Sequence, residues 1–334
     1  MRTDDQPGRT SHAVALDVRG LSVDISLRLG TVRAVDNVDL CARKGETLAV
    51  LGESGCGKSL TAKAITGLLD PGVRVSSGQV RLDGADLLTM NPKQRRTVAG
   101  HKLGIVFQDA LTVLNPVYTV GSQIDEVFRI HEGVSRREAK TRSIELMERV
   151  GIEDAARRYH AYPHQFSGGM RQRIVIAIAV ALKPSVLIAD EATTALDVVV
   201  QAQIMDLLRE LRSEFNMAVV LITHDLALVA KEADEVVVMY AGNVVEKGRV
   251  ADVLRHPQNP YTRALLEAAL PAKASRERPF ASIPGGPPDL DSIPRGCVFK
   301  DRCGFAQQVC ADERPVLRLV AAGHACACHF VNGD

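Results

Sequence analysis

Gly52-Glu53-Ser54-Gly55-Cys56-Gly57-Lys58-Ser59 satisfies the phosphate-loop pattern G-x-x-x-x-G-K-S/T at every specified position. The apolar run Thr47-Leu48-Ala49-Val50-Leu51 precedes it and reads as a buried strand, and a helix-forming stretch opens at Leu60. Strand, glycine-rich loop and helix, in that order, are what phosphate capture requires. The glycines let successive backbone N–H groups turn inward around phosphate oxygens, and the helix N-terminus adds the positive end of its dipole. In that geometry Lys58 reaches the β- and γ-phosphates of a nucleoside triphosphate and Ser59 ligates Mg²⁺. In an arbitrary loop the same residues would be a glycine-rich turn with a chance lysine. The flanking strand and helix select the nucleotide reading.

Working outward, Ser185-Val186-Leu187-Ile188-Ala189-Asp190-Glu191 is an apolar strand that ends in two carboxylates. At the strand tip Asp190 would hold Mg²⁺ through water. Glu191 would face the γ-phosphate and polarise the attacking water, the base that hydrolysis needs beside positioning and charge stabilisation. A strand ending in two solvated acids is common, so the pair takes its meaning from the phosphate loop upstream. Shortly before it, Gln165-Phe166-Ser167-Gly168-Gly169-Met170-Arg171-Gln172-Arg173 starts a helix at Ser167, offering a hydroxyl and free N–H groups to an anion.

Composition agrees with an α/β enzyme. The chain has 334 residues, 46% of them hydrophobic, enough for one large domain and an appendage or for two domains. Lys plus Arg is 41 against 40 for Asp plus Glu, so no global charge draws the chain to nucleic acid or to a membrane surface. Trp is absent and aromatics are 4%, which makes the core aliphatic. The longest apolar run, 174–182, is too short to span a bilayer. The polar start Met1-Arg2-Thr3-Asp4-Asp5 lacks the apolar core of a signal peptide, and a cytoplasmic location is expected.

Three regions follow. Between 14 and 246 strands alternate with helices, and apolar runs at 48–51, 104–107, 186–189, 218–222 and 236–239 read as buried strands of a mostly parallel sheet. Between 120 and 165 the pattern becomes helical and charged. Ser135-Arg136-Arg137-Glu138 has the capping-box form, and Ile144, Leu146, Met147 and Val150 supply an apolar face. A Pro- and Gly-rich linker then leads to a cysteine-bearing tail.

The order of phosphate loop, Gln108, Ser-Gly-Gly, Asp-Glu, Ala195-Leu196-Asp197 and His224 resembles the ATP-binding-cassette ATPases. The resemblance implies a P-loop cassette with a mostly parallel sheet and an antiparallel β subdomain over 14–270. A helical subdomain would occupy about 112–170, a linker 271–295, and a Cys-rich extension 296–334. It implies ATP and Mg²⁺ as ligands. Residues 52–60, from Gly52 to Leu60, would hold the nucleotide, with Ser59, Gln108 and Asp190 around Mg²⁺. Gln108 would also sense the attacking water and couple to the membrane subunits. Ser167, Gly168 and Gly169 would bind the γ-phosphate held by an opposite subunit, Asp197 would lie where two subunits meet, and His224 would contact the γ-phosphate beside the base Glu191.

Within that family the resemblance narrows to the oligopeptide/dipeptide importers and their nickel-importing relatives. It rests on Tyr162-Pro163-His164-Gln165-Phe166-Ser167-Gly168-Gly169, on Thr193-Thr194-Ala195-Leu196-Asp197 with Val200-Gln201-Ala202-Gln203, on Leu114-Asn115-Pro116, and on His256-Pro257-Gln258-Asn259-Pro260-Tyr261-Thr262. The implied machine pairs this chain with a second cassette ATPase, a paralogue or itself. Two transmembrane permease subunits, an external solute-binding protein and a peripheral place on the cytoplasmic face of the membrane complete it. Import of nickel or another small solute, a soluble cassette ATPase outside transport, and an ATP-binding regulator without turnover are the alternatives. Glu191 and His224 speak against the last, and the absence of a second cassette or a long coiled coil speaks against the soluble types. Three departures stand out. Ala192 and Ala110 occupy positions where the family usually has Pro, and no aromatic residue lies between Leu21 and Leu51 to stack on adenine. Leu29, Val32 or Arg33 is expected to pack there instead.

Of seven cysteines, Cys41 and Cys56 stand apart, the first read as a buried small apolar residue and the second as pointing away from the nucleotide. The others follow the spacing Cys297-x5-Cys303-x6-Cys310, then Cys326-x-Cys328. In a reducing compartment this crowding argues for a metal over disulfides, and four thiolates suit tetrahedral zinc or an iron–sulfur cluster. The resemblance to the C-terminal extension of peptide-importer ATPases implies a [4Fe–4S] cluster on Cys297, Cys303, Cys310 and Cys328, the last chosen because His329 follows it. Zn²⁺ and unmetallated thiols remain the alternatives.

Overall fold

The computed structural model describes residues 12–28, 30–107, 113–193, 196–269 and 283–331. Gln108, Ala110, Leu29, Thr194, Ala195 and residues 271–282 of the linker lie outside the described residues.

Among the described residues, twelve strands form two sheets. They are β1 (Val14–Leu27), β2 (Gly30–Arg43), β3 (Thr47–Leu51), β4 (Val73–Leu82), β5 (Ala85–Asp86), β6 (Leu103–Val106), β7 (Val186–Asp190), β8 (Ala218–Thr223), β9 (Glu235–Tyr240), β10 (Asn243–Arg249), β11 (Arg318–Ala321) and β12 (His324–Cys326). The smaller sheet is antiparallel in the order β2-β1-β4-β5, and the larger runs β11-β12-β10-β9-β3-β8-β7-β6. The stretch from β9 to β6 is parallel. Every residue of β3, β7 and β8 is buried, which is why these strands read as unbroken apolar runs and not as alternations.

Register places the chemistry. Leu51 lies opposite Thr223, and Asp190 opposite Ile222. The residues that follow, Gly52, Glu191 and His224, therefore leave the same edge of the sheet, the carboxyl end where open α/β sheets bind ligands.

The helical insertion comprises Val120–His131, Arg136–Arg149, Ala155–Arg158 and Gly168–Val180. Ile124, Phe128, Met147, Val150 and Ile174 fill its interior, and Ile144 and Leu146 pack against it. Ser135 caps the second helix by accepting from the Glu138 N–H at 3.2 Å. The expected box is only half made, because the Glu138 carboxylate leans toward Arg142, 3.9 Å away. The apolar run at 174–182 belongs to the buried helix Gly168–Val180, and no helix among the described residues is long and apolar enough to cross a membrane.

The cysteine-bearing tail continues the main sheet. β10 pairs antiparallel with β9, β12 with β10, and β11 with β12. A buried carboxylate fastens this edge. Glu246, fully enclosed, accepts from the N–H groups of Gln258 (2.6 Å) and Asn259 (3.2 Å), and His324 Nε2 stands 2.7 Å from the same group. Asn259 donates to the carbonyls of Val245 (3.3 Å) and Ala327 (3.0 Å), and its own oxygen caps the helix Pro260–Ala269 by accepting from the Tyr261 N–H. The Gln258-Asn259-Pro260-Tyr261 motif is thus the clasp between sheet and tail.

Candidate nucleotide-binding site

The phosphate loop leaves β3 under tight steric control. A Cβ on Gly52 would lie 2.3 Å from the Met239 carbonyl, and Gly57 has φ +100°, a conformation that side chains strain against. The helix Lys58–Thr66 starts immediately after. Lys58 is buried, and its ammonium donates to the carbonyls of Gly52 (2.8 Å) and Glu53 (2.9 Å). Its third N–H faces only the weak acceptor Cys56 Sγ at 3.8 Å, so one donor remains for a phosphate oxygen. Cys56 is itself buried beneath the loop, and burial pushes its thiol up.

Ser59 Oγ donates to Asp190 Oδ1 at 2.9 Å, joining two of the three residues expected around Mg²⁺. Burial raises the Asp190 carboxyl above its ordinary value, and the neighbouring Glu191 adds to the effect while Ser59 opposes it. Such a carboxylate gains from a cation at its side. Glu191 has φ +46°, a left-handed conformation uncommon outside glycine, fixed by its N–H donating to the Ile222 carbonyl at 2.9 Å. The carboxylate thereby approaches His224, whose Nδ1 lies 3.3 Å from Oε1. A cavity of about 260 Å³ stands over the loop, lined by Ser54, Gly55, Gly57, Lys58, Ser59 and Glu191, with Ile25, Ala34 and Leu290 as its apolar wall.

The sequence expectation for the adenine side is Leu29, Val32 or Arg33. Val32 and Arg33 do not line the cavity, and Arg33 pairs with Asp24 (3.2 Å) and Asp36 (3.3 Å) instead. Leu29 and Gln108 lie outside the described residues. Ser167, Gly168 and Gly169 are not among the residues around the cavity. They start the helix Gly168–Val180, where Ser167 Oγ accepts from the Met170 N–H at 3.3 Å. A Cβ on Gly169 would lie 2.6 Å from Val200 Cγ1, so this glycine is what lets the helix approach Val198–Phe215. Asp197 caps that second helix through the Val200 N–H at 2.9 Å.

Two side chains from the C-terminal part of the chain hydrogen-bond to the loop. Tyr261, from the clasp, accepts from the Glu53 N–H at 3.0 Å, and Arg302, from the tail, forks onto the Glu53 carboxylate at 2.6 and 3.0 Å. Farther on, Cys297, Cys303, Cys310 and Cys328 line one cavity of about 380 Å³ with His329. Cys326 is not among its lining residues and is buried, with its sulfur 3.8 Å from Asn259 Nδ2. Burial pushes the Cys297 and Cys303 thiols up, and the neighbouring Cys310 and Cys328 reinforce this. Among the described residues no group of three or more His, Cys, Asp or Glu is placed to hold a metal ion. Cys41 is half-buried on β2, less enclosed than expected.

Comparison with known proteins matches residues 35–194 to the ABC transporter family and residues 245–310 to the oligopeptide/dipeptide transporter C-terminal region. The dipeptide transport ATP-binding protein DppD of Escherichia coli (strain K12) is 46% identical over 319 residues, covering 96% of this chain and 97% of the relative. DppD of Haemophilus influenzae is 45% identical over 307 residues, covering 92% and 93%. Among solved structures, the dimeric ATP-binding cassette MJ0796 bound to ADP and Pi aligns with a TM-score of 0.63 at 26% identity, over 70% of this chain and 98% of its own. cbiO1 of Clostridium perfringens, part of the ABC transporter complex cbiONQ, aligns with a TM-score of 0.62 at 28% identity, over 73% and 91%. With its phosphate loop, its paired carboxylates and relatives of this identity along nearly its whole length, the chain belongs to the ATP-binding-cassette ATPases of the oligopeptide/dipeptide transporter family.

Proposed function

We propose that this chain is the ATP-binding and ATP-hydrolysing subunit of a peptide importer. It works as a peripheral subunit on the cytoplasmic face of the membrane, paired with a second cassette and docked on two permease subunits that an external solute-binding protein supplies. The observation that carries the reading is the meeting of Lys58, Ser59, Asp190, Glu191 and His224 at the carboxyl end of one parallel sheet, in a chain whose relatives are named for dipeptide transport.

Each residue has a role that its surroundings support. Lys58 and the loop N–H groups receive the β- and γ-phosphates. Ser59 and Asp190 would hold Mg²⁺, which supplies neutralising charge to the phosphates when bound. Glu191, turned toward His224 by its backbone, orients and deprotonates the attacking water, and His224 is positioned to meet the γ-phosphate. Ser167, Gly168 and Gly169 sit off the cavity and present a helix N-terminus with spare donors, as a residue set serving the partner's nucleotide would. Gln108 is assigned by its place in the motif order as the Mg²⁺ and coupling residue. Two chains facing each other would each complete the other's site, so ATP joins them and hydrolysis releases them.

The test is ATP hydrolysis by the assembled complex in vesicles with a peptide-loaded binding protein. Peptide-stimulated hydrolysis that Glu191→Gln abolishes is the expected result, and hydrolysis indifferent to peptide would argue for another cargo.

For the tail, we propose the [4Fe–4S] reading. Four cysteines converge on one cavity while the fifth, Cys326, is committed to the clasp. The sequence lacks the closely paired C-x-x-C ligands usual for structural zinc, which favours the cluster over a single zinc ion. A bound cluster would supply either a cross-link or a redox-sensitive centre. Iron and sulfide content of anaerobically purified protein tests this.

A further inference from the structure

Glu53 is an acidic residue in a loop built to receive a polyanion. Its carboxylate is three-quarters buried, and the cation that meets it comes from the other end of the chain. Arg302 Nη1 and Nη2 donate to Oε2 (2.6 Å) and Oε1 (3.0 Å) in a two-pronged fork, the geometry that makes guanidinium–carboxylate pairs strong and directional. The remaining donors of the guanidinium are all used. Nε donates to the Pro284 carbonyl (2.9 Å), Nη1 to the Tyr240 hydroxyl (3.3 Å) and Nη2 to the Ile283 carbonyl (3.4 Å). The group also lies over the Tyr240 and Phe299 rings, at 5.7 and 5.9 Å. With its side chain only 6% exposed, Arg302 has no other arrangement close at hand.

A second contact fixes the same residue from its backbone. Tyr261, fully buried, accepts the Glu53 N–H on its hydroxyl at 3.0 Å. Its ring packs against Tyr240 and Phe299, with centroids 4.6 and 5.3 Å apart, so hydroxyl and guanidinium are parts of one rigid wall. Glu53 is thus held by side chain and main chain together, immediately beside the carbonyls that position Lys58.

The electrostatic consequence is direct. A carboxylate within a loop that receives a triphosphate adds like charge to that site, and its burial weakens the screening that water would provide. Pairing with Arg302 offsets that charge. We propose that Arg302, assisted by Tyr261, is a positioning residue for ATP. The tail neutralises and anchors the phosphate loop, and full nucleotide affinity depends on it. This rests on the phosphate loop being the ATP site.

The experiment is direct binding of a fluorescent ATP analogue with Mg²⁺ to the full chain, alongside KM and kcat of the assembled transporter. Lys58→Ala serves as the non-binding control, and each variant's melting without nucleotide reports folding. Arg302→Met is expected to weaken binding about tenfold and to raise KM correspondingly, with kcat at saturating ATP within about twofold of wild type. Arg302→Lys keeps the charge and loses the fork, and a loss of about threefold is expected. Arg302→Met with Glu53→Gln leaves no unpaired carboxylate and should return to within about twofold of wild type, since replacing both partners is far milder than removing one. A merely structural role would leave the double variant as weak as Arg302→Met. That result, or wild-type affinity in Arg302→Met or Arg302→Lys, would overturn the proposal. Should Arg302→Met not fold, Arg302→Lys and the double variant decide by the same criteria. A wild-type chain that bound no analogue would overturn the phosphate-loop reading together with the clamp.

Discussion

The phosphate loop gathers its donors within residues 52–59, whereas the cysteine-lined cavity draws on side chains from 297 to 328 and on paired strands and a buried clasp to bring them together. The first site carries its geometry in its own sequence, because glycines at set intervals dictate the turn and the adjoining strand and helix fix its ends. The second depends on contacts made elsewhere, through Glu246, Asn259 and the addition of β12 to β10. A contiguous motif should therefore lose most when its own atoms are altered and less when a distant support such as Arg302 is removed. The dispersed site should respond to changes at a distance as well.

The largest expected effects lie in the contiguous site. Lys58→Ala removes the one buried ammonium at the loop, and ATP binding is expected to fall below detection in direct titration. Glu191→Gln keeps the shape and removes the base. Turnover should drop on the order of a thousandfold while nucleotide binding persists and ATP-dependent pairing of subunits becomes long-lived. Unchanged hydrolysis in Glu191→Gln would remove the assigned base.

The dispersed site is sharpened by two serines. Cys303→Ser should abolish iron and sulfide retention, and Cys326→Ser should leave both near wild-type content, because Cys326 is buried against Asn259 and is not among the residues lining the cavity. Equal loss in both variants would place Cys326 among the ligands. Iron unchanged in Cys303→Ser would dismiss the assigned set.

The signature helix lies between these extremes. Gly169→Ala places a methyl 2.6 Å from Val200 Cγ1, which forces the two helices apart at an estimated cost of about 1–3 kcal/mol. Reduced hydrolysis by the complex, with nucleotide binding by the single chain unaffected, is the expected pair of results. A normal rate would show that this spacing is not needed.

The smallest effect on stability concerns Asp190. Burial raises its carboxyl above the unfolded value, so the native state holds that proton more firmly than the unfolded chain does. Its contribution to stability is most favourable below the unfolded pKa and declines as pH rises through the raised native value, leaving the charged form a burden at neutral pH. Asp190→Asn should therefore raise the melting point of the nucleotide-free chain, by about 1 kcal/mol of stability, while Mg²⁺-dependent hydrolysis is lost. A lower melting point would mean that the Ser59 hydrogen bond outweighs the burial.

The fold's framework was legible because its signals are local. Unbroken apolar runs marked β3, β7 and β8, and the acids and histidine at their ends stood where parallel register then aligned them. What was not legible is long in sequence separation. Glu53 meets Tyr261 across 208 positions and Arg302 across 249, and no periodicity encodes such pairs. The stretch around Asn259 and Tyr261 was recognisable as a pattern, but its work as clasp and loop support required the tail to be seen on the sheet. The adenine-side wall shows the same limit. Local sequence pointed to Leu29, Val32 or Arg33; Leu29 lies outside the described residues, Arg33 is held by two aspartates, and Leu290, far along the chain, lines the cavity over the loop.

Uptake of labelled di- and oligopeptides by cells carrying either the wild-type chain or Glu191→Gln, with nickel uptake measured in parallel, tests the central claim most directly. The account predicts that peptide uptake is lost in Glu191→Gln while nickel uptake is unchanged. Peptide uptake that persists at the wild-type rate in the variant would contradict it.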